Sequence, residues 1–437
     1  MPAETFAKIA NHFSAAMPTP PIIAATDIGT AKVTVFIAEA GTGPGGAPRI
    51  IAAGETLTGP DCMKKGFILN AEETCKRVHA AFDAAEKMAG GGLRLKTSFL
   101  TLSGSHLVGR LCPGVATVTG SGGTVCARDT ARARSEAKKV DAFPKERWPH
   151  HVPVAYLFQP YRINNTFFNN PVGQPGRHLH SDCWVVAADR RRMKLMRDIV
   201  EQYIQNPEVV VASVASGTLL AGEDKRRNGA LVVDIGAGTT DFVLYQRGCV
   251  VMTGVLPVGG DHITADLADG LKLRISQSGA DGPDRLRAEE LKLAYDPGAA
   301  AAPDASPYVW RFGNGRVGDR RIPLSSVGQV IRARTDEIFR FVMARVTKFV
   351  KAPSDIAAGI IVTGGTAKLG GILDIATQAT GLGARAAEFP EWVPAEYARP
   401  EHSAALGVLL HAQQRLARRR TAPKRGVLQT LKRWLRF

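Results

Sequence analysis

The sequence has no closely spaced cysteines. Its six cysteines are scattered along the chain without a CxxC pair: Cys62, Cys75, Cys112, Cys126, Cys183 and Cys249. This spacing excludes a cysteine zinc site and the disulfide framework of a small secreted domain. We therefore expect reduced thiols in a cytosolic protein.

Long apolar runs are also missing. No stretch approaches the run of about eighteen apolar residues that a membrane-spanning helix needs. The N-terminal segment MPAETFAKIANHFSAAMPTPP has an early acid and lacks the apolar core of a signal peptide. We expect a flexible N-terminal extension over residues 1–21.

Acidic residues are absent from the C-terminal end. The chain has 437 residues and a formal net charge of +16, and nine Lys and Arg without any Asp or Glu lie between Arg415 and Phe437. Such a tail suits nucleic acid or an anionic membrane leaflet, and a merely solvated basic end is the third interpretation. The 45% hydrophobic content is ordinary for a globular protein, and the length allows two or three subdomains.

Two stretches about two hundred residues apart share one pattern. IIAATDIGTAKVTVFIAEAG occupies residues 22–41, and RNGALVVDIGAGTTDFVLYQRG occupies residues 227–248. Each contains an apolar strand, a turn entered by Asp-Ile-Gly and a second β-branched strand. The repeated hairpin predicts two related halves.

The residue types in both turns suit a polyphosphate. Glycine lets backbone N–H groups approach phosphate oxygens, threonine hydroxyls can donate to them, and aspartate can hold a hydrated magnesium ion. The predicted nucleotide-binding residues here are Asp27, Gly29, Thr30, Lys32, Asp234, Gly236, Ala237, Gly238, Thr239 and Thr240. Asp27 and Asp234 are the predicted Mg²⁺ residues, acting through water. One such turn alone can be a plain hairpin, and Lys32 can equally be a solvated strand lysine.

A third glycine-rich turn lies in AGIIVTGGTAKLGGILDIATQAT, residues 358–380. A glycine pair after a buried strand lets a flat base or a phosphate lie against the backbone. Gly364, Gly365 and Thr366 therefore join the predicted site. An ordinary strand-to-helix connection is the alternative.

Together these three turns resemble the actin-like ATPase superfamily, and finer features narrow the resemblance to the FtsA family of bacterial cell-division proteins. DIGTAKV and DIGAGTTD look like the two phosphate motifs of that family, and VTGGTAKLGGI looks like its adenosine motif. AEELK at 288–292 is similar to the segment that touches the ribose and the base. This likeness implies binding roles for Glu289 and Lys292, and an exposed helical charge pair is the alternative.

The connector and an inserted region extend the resemblance over nearly the whole chain after residue 22. EHSAALGVLLH at 401–411 looks like the helical connector of the family. SGSH at 103–106, the segment at 151–156 and NNPVG at 169–173 resemble its small inserted subdomain.

The resemblance implies an α/β, actin-like two-lobed ATPase fold with an inserted small α+β subdomain and a C-terminal amphipathic helix, with ATP clamped between the lobes. The predicted boundaries are 22–102 for the first half, 103–182 for the inserted subdomain, 183–225 for the return to the first half, 226–259 and 325–411 for the second-half core, 260–324 for its lid, 412–425 for a basic linker and 426–437 for the amphipathic helix.

The resemblance also implies a function. The chain would be an ATP-binding, self-associating adaptor at the cytoplasmic face of the inner membrane, at the division site. It would tether the FtsZ ring there by binding the FtsZ C-terminal peptide, and it would help recruit later division proteins. Arg311, Arg316, Arg320 and Arg321 offer a surface for an acidic peptide, or simply a solvated basic face.

A general base for hydrolysis is not identified in the sequence. Asp241 is a candidate for positioning water, or it hydrogen-bonds its own turn. At most slow ATPase activity is therefore expected. Two alternatives remain: an actin-like ATP-binding protein of pilus assembly, and a small-molecule kinase of the same superfamily.

The last twelve residues, GVLQTLKRWLRF, form an amphipathic pattern. On a helix at 100° per residue, the apolar side chains occupy an arc about 120° wide and the cations lie opposite. The predicted membrane-binding residues are Val427, Leu428, Leu431, Lys432, Arg433, Trp434, Leu435 and Arg436. This regular period favours an anionic membrane surface over nucleic acid.

Overall fold

The computed structural model describes residues 20–43, 46–92, 95, 97–139, 141–271, 282–300, 308–311 and 320–421. Within them, no helix is long and apolar enough to cross a membrane. The predicted membrane-binding residues lie outside this part of the chain.

The chain begins with a three-stranded antiparallel meander and a helix that packs on it. The elements are β1 (Ile22–Ile28), β2 (Lys32–Glu39), β3 (Arg49–Leu57), β4 (Met63–Lys64), β5 (Phe67–Ile68), α1 (Ala71–Met88) and β6 (Thr97–Leu102). Asn70 caps α1 by accepting from the N–H of Glu73, and acidic residues in its first turn complement the helix dipole. Strand β6 runs parallel to β1, so their carboxyl ends lie at the same edge of the sheet.

The inserted region forms two small sheets. Its elements are β7 (Leu107–Cys112), β8 (Val115–Thr117), α2 (Ala127–Lys139), β9 (His151–Phe158), β10 (Tyr161–Ile163), β11 (Thr166–Phe168), β12 (His178–His180) and β13 (Cys183–Asp189). The strand orders are β7-β13-β9 and β11-β10-β12-β8. The predicted boundary at residue 182 is wrong in one respect, because β13 is the central strand of the first small sheet and continues it to Asp189.

The chain then completes the first large sheet. The elements are α3 (Arg190–Glu201), β14 (Glu208–Val211), α4 (Ala212–Leu220) and α5 (Glu223–Arg227). Strand β14 pairs in parallel with β6, which gives the order β14-β6-β1-β2-β3.

The second half repeats this plan. Its elements are β15 (Ala230–Ile235), β16 (Thr240–Gln246), β17 (Cys249–Leu256), α6 (Gly260–Gly270), α7 (Gly282–Ala294), α8 (Pro297–Ala300), β18 (Tyr308–Arg311), β19 (Arg320–Pro323), α9 (Leu324–Val346), β20 (Ile360–Thr363), α10 (Ile372–Thr380), β21 (Ala384–Ala386) and α11 (Ser403–Thr421). Its large sheet has the order β17-β16-β15-β20-β21. Each large sheet thus joins an antiparallel meander to two parallel strands, which confirms the predicted pair of related halves.

Helix α11 returns to the first half and packs against α4 and β1. The predicted linker at 412–425 is wrong in its first part, because α11 continues to Thr421. This part of the helix is held against the first half. Ala412 is fully buried in the core, and Arg415 pairs with Glu208 of β14 at 2.6 Å.

Candidate nucleotide-binding site

The first turn is a tight hairpin between β1 and β2. The N–H of Gly29 donates to the carbonyl of Lys32 at 2.9 Å, which closes the turn directly after Asp27. Asp27 is half-buried, and it accepts a hydrogen bond from Thr101 at the end of β6. Desolvation raises the pKa of Asp27, and the Thr101 hydroxyl and the nearby charges of Lys32 and His402 partly oppose this rise.

The second turn closes in the same way between β15 and β16. The N–H of Gly236 donates to the carbonyl of Thr239 at 2.9 Å. Asp234 stands before this turn and is half-buried. Desolvation, and then the like charges of Asp241 and Asp27, raise the pKa of Asp234 well above its ordinary value.

Asp241 is paired with Asp234 across β15 and β16, and it is buried. Its Oδ2 accepts from the Ser103 hydroxyl at 2.6 Å and from Thr239 at 3.3 Å, whereas its Oδ1 has no hydrogen-bond partner in the described residues. Burial raises the pKa of Asp241 to about 7, despite the two hydrogen bonds that lower it. Asp241 therefore bonds its own turn, as one prediction had it, and also Ser103, which directly follows β6.

The third turn lies directly against the second. Strand β20 runs parallel to β15, with Thr363 beside Asp234. Gly364 has a φ of +86°, and a Cβ added there would stand 2.5 Å from Asp234 Oδ1. The position therefore requires glycine on both conformational and steric grounds. Thr366 Oγ1 donates to the carbonyl of Gly236 at 3.1 Å, which joins the two turns.

The lid residues approach the same place. Lys292 is buried, and its Nζ lies 2.6 Å from Glu289 Oε2 and 3.0 Å from Thr264 Oγ1. A Cβ on Gly260 would stand 2.5 Å from Thr366 Oγ1 and 3.4 Å from Lys292 Nζ. Because Lys292 is buried beside the third turn, the alternative of an exposed helical charge pair is wrong.

The two phosphate turns nearly touch across the cleft. A Cβ on Gly238 would stand 2.5 Å from Thr30 Oγ1 and 3.0 Å from the backbone nitrogen of Lys65. Any phosphate held between these turns therefore has to separate them. A cavity of about 580 Å³ lies elsewhere, in the inserted region beside Lys138 and Tyr156.

Lys32 is not the solvated strand lysine of the alternative, and its binding to phosphate stays a prediction. Its Nζ lies 2.5 Å from Glu55 Oε1 and 3.1 Å from His402 Nε2. In this structure the side chain is directed to Glu55. It is held in an ion pair.

Several residues of this site were missed by sequence reasoning. Thr101 and Ser103 carried a usable signal, because a strand parallel to β1 must end at the same sheet edge. The glycine pair Gly259-Gly260 before α6 was another visible signal. Glu55 had no such signal in the sequence, since its contact with Lys32 depends on the register of β2 and β3.

The candidate peptide surface is only partly described. Strands β18 and β19 pair with Arg311 opposite Arg320 and Trp310 opposite Arg321. Arg316 lies outside the described residues.

Comparison with known proteins finds similarity to division proteins. The family model "Cell division protein FtsA" matches residues 231–407. The cell division protein FtsA of Pseudomonas aeruginosa is 27% identical over 432 residues, covering 95% of this chain and 97% of the relative. The FtsA of Escherichia coli K12 is 27% identical over 433 residues, with the same coverage of 95% and 97%.

Solved structures show the fold. The PilM-PilN type IV pilus biogenesis complex gives a TM-score of 0.57 at 18% identity, covering 91% of this chain and 99% of that chain. MreB 5 of Spiroplasma citri bound to AMPPNP gives 0.50 at 13% identity, covering 93% and 100%. The MamK double helical filament gives 0.50 at 11% identity, covering 90% and 99%.

These neighbours confirm the predicted actin-like two-lobed α/β fold, and the sequence matches span nearly the whole chain. The chain is similar to bacterial cell division proteins FtsA over nearly its whole length, which confirms the resemblance seen in the sequence.

Proposed function

We propose that the chain is an ATP-binding, self-associating adaptor that tethers the FtsZ ring to the cytoplasmic face of the inner membrane and helps recruit later division proteins. One observation carries the nucleotide part of this proposal. The three predicted turns and the two lid residues, which are far apart in sequence, converge on one cluster of desolvated carboxylates. The proposed nucleotide-binding residues are the fifteen predicted from the sequence.

The cluster fits a magnesium-bound polyphosphate chemically. Asp27, Asp234 and Asp241 all have raised pKa values, and one oxygen of Asp241 lacks a hydrogen-bond partner. In the described part of the chain, no three His, Cys, Asp or Glu side chains are close enough to bind a metal directly. Asp27 and Asp234 would hold Mg²⁺ through water, and the ion would compensate the carboxylates and the phosphates together.

The remaining residues supply donors and shape. Backbone N–H groups of the first two turns, with the hydroxyls of Thr30 and Thr239, would donate to phosphate oxygens. Lys292 and Glu289 would bind the ribose and base, and the Gly364-Gly365 backbone would lie against the base. A similar fold holds AMPPNP in the Spiroplasma MreB 5. With Asp241 engaged by Ser103 and Thr239, at most slow hydrolysis is expected.

Membrane attachment is proposed for residues 426–437. Each Lys or Arg near an anionic leaflet contributes about 1 kcal/mol, and one short helix binds weakly and reversibly. Self-association of the ATP-bound body would multiply this attachment. The structure of the MamK double helical filament, which has a similar fold, supports self-association in this proposal.

Flotation with anionic liposomes tests the adaptor function. We expect the full chain to float with the liposomes, more completely with ATP, and to form assemblies on the membrane seen by electron microscopy. Trp434→Glu should abolish flotation, whereas the matched variant Trp434→Phe should retain it. Equal flotation of wild type and Trp434→Glu would remove the membrane part of the proposal.

The FtsZ contact is proposed for the lid, residues 260–324. Binding of an acidic FtsZ C-terminal peptide should be lost in the double variant Arg320→Glu and Arg321→Glu, since the charge at the proposed surface is reversed. An unchanged affinity for the peptide would place the contact elsewhere.

A further inference from the structure

Charged side chains from separate parts of the chain meet beside the first turn. Glu55 of β3 lies at their centre. Its Oε1 is 2.5 Å from Lys32 Nζ and 2.6 Å from His402 Nε2, and its Oε2 is 2.9 Å from Arg399. Lys32 and Glu55 belong to the first half, whereas Arg399 and His402 belong to the connector that leads into α11.

Strand register brings Lys32 and Glu55 together. Thr34 of β2 is paired with Glu55 of β3, so Lys32 is a diagonal neighbour of Glu55 on the same face. Burial acts to raise the pKa of Glu55, but hydrogen bonds from His402 and Lys32 outweigh it and hold the pKa well below its usual range. Glu55 is therefore an ionised carboxylate that can compete with a nucleotide phosphate for the Lys32 ammonium group.

The connector holds its side of the cluster rigidly. The ring of His402 is fully buried, and its Nδ1 lies 3.0 Å from the carbonyl of Tyr397. Because a carbonyl can only accept, Nδ1 is the donor in this bond, and the ring orientation is fixed. Glu55 thus keeps two partners, His402 and Arg399, that do not depend on Lys32.

The same connector is bonded to the third turn. The N–H of Gly364 donates to the carbonyl of Pro400 at 3.1 Å, and Thr363 Oγ1 lies 2.6 Å from Ser403 Oγ. Glu401 pairs with Lys368, which follows that turn, at 2.5 Å. The cluster therefore spans the space between the first and third turns of the proposed nucleotide site.

We propose that Glu55 is a positioning residue that keeps Lys32 in an ion pair beside the first turn. Nucleotide phosphates would then compete with Glu55 for the Lys32 ammonium group. This inference rests on the proposed ATP binding and adds the regulation of that site. When Lys32 turns to a phosphate, Arg399 still forms an ion pair with Glu55, and His402 stays in contact with it. The exchange therefore leaves no unpaired carboxylate, and the competition sets the affinity for ATP.

Titration calorimetry of the full chain with Mg-ATP tests the competition. Glu55→Gln should tighten ATP binding about threefold to tenfold, because Lys32 then leaves only the more distant carboxylate of Glu401, 3.9 Å away. Glu55→Asp, which retains the charge, should stay near wild type. Glu39→Gln is the matched control, since Glu39 pairs with Arg49 on the same two strands at 2.7 Å, at the end away from the turn, and its affinity should not change.

A double-mutant cycle separates this exchange from a general structural effect. In the Lys32→Met background, Glu55→Gln should leave ATP affinity unchanged. Unchanged or weaker ATP binding by Glu55→Gln, or an equal gain in both backgrounds, would overturn the inference while leaving ATP binding itself intact. If neither wild type nor Glu55→Gln binds ATP, the proposed nucleotide function fails, and this inference fails with it.

Discussion

The first and second turns are copies of one hairpin at equivalent places in two sheets of the same topology, yet their aspartates have different neighbours. Asp27 accepts a hydroxyl hydrogen bond from Thr101, and the charges of Lys32 and His402 act to lower its pKa. Asp234 has the like charges of Asp241 and Asp27 around it, and these raise its pKa further.

This difference predicts that the two turns depend on different cations. The first turn carries its own cation, which Glu55 holds nearby. In the described residues, no cation is among the groups that shift the pKa values of Asp234 and Asp241, so the second turn would gain most from an added divalent cation. In the proposed site, two turns closed by equivalent hydrogen bonds would therefore act differently: Lys32 would assist the first turn, and Mg²⁺ would act mainly at the second.

The largest effect on Mg-ATP affinity is expected when each of the two aspartates is neutralised in a separate variant. Asp234→Asn should weaken Mg-ATP binding about 100-fold, and Asp27→Asn about tenfold, since residues that orient a bound metal through outer contacts account for effects in this range. Lys32 remains to hold phosphates in the Asp27 variant. Calorimetry with Mg²⁺ and with EDTA measures both. Equal losses in the two variants would mean that the turns do not differ as described.

The close approach of the turns can be tested by adding a methyl group. Gly238→Ala should lower the free energy of unfolding by about 2 kcal/mol, because the new Cβ would meet Thr30 Oγ1 at 2.5 Å. Gly236→Ala should cost less, since its nearest neighbour is Thr239 O of its own turn at 3.3 Å. Denaturant unfolding measures both.

A suppressor adds a check on that contact. Thr30→Ala in the Gly238→Ala background should restore part of the lost stability, because it removes the hydroxyl that the methyl group meets. If Thr30→Ala only adds to the loss, the cost of Gly238→Ala does not come from contact between the turns.

The second turn should also give the protein a distinctive pH dependence. The pKa of Asp241 rises from its ordinary 3.8 to about 7 in the fold, so the folded state binds more protons than the unfolded state between these values. The free energy of unfolding therefore falls as pH rises from about 4 to about 7, by at most about 1.4 kcal/mol per pH unit for this group. Above pH 7 its contribution is constant.

Unfolding curves at several pH values in the absence of nucleotide check this slope. Asp241→Asn should flatten it in part, and Asp27 and Asp234 contribute in the same direction because their pKa values are also raised. A slope unaffected by Asp241→Asn would assign the pH dependence to other groups.

The turns were predictable from the sequence because their signals are local. An Asp-Ile-Gly hairpin between β-branched strands specifies its own hydrogen bonds, and its recurrence revealed the two halves. The environment of each aspartate was not predictable, because it depends on distant partners. Glu55 reaches His402 across 347 positions, and Ser103 reaches Asp241 across 138. Strand register and parallel pairing bring these residues together, and no local sequence pattern predicts such contacts.

Two predicted domain boundaries, at residues 182 and 412, were wrong for a related reason. Strand β13 has the apolar composition of any buried strand, so its sequence does not say which sheet it joins. The basic residues after Ala412 suggested a linker, but Leu416 of α11 still packs against the core. In both cases the deciding interaction is tertiary.

The smallest effect is expected where the first half reaches into the second turn. Ser103 donates to Asp241 Oδ2 at 2.6 Å, and this bond lowers the pKa of Asp241. Ser103→Ala should therefore raise that pKa above about 7 and destabilise the fold by about 1 kcal/mol where Asp241 is ionised. The loss should be larger at pH 8 than at pH 5, because at pH 5 the folded state already carries a protonated Asp241.

Denaturant unfolding of Ser103→Ala at both pH values, with Ser105→Ala from the same loop as the matched control, measures the difference. Ser105→Ala should show no dependence on pH beyond that of wild type. If Ser103→Ala loses the same free energy at pH 5 and pH 8, the Ser103 hydroxyl does not act through the Asp241 charge. The contact would then be a packing contact, and the Ser103 hydroxyl would not oppose the rise that burial and Asp27 cause in the pKa of Asp241.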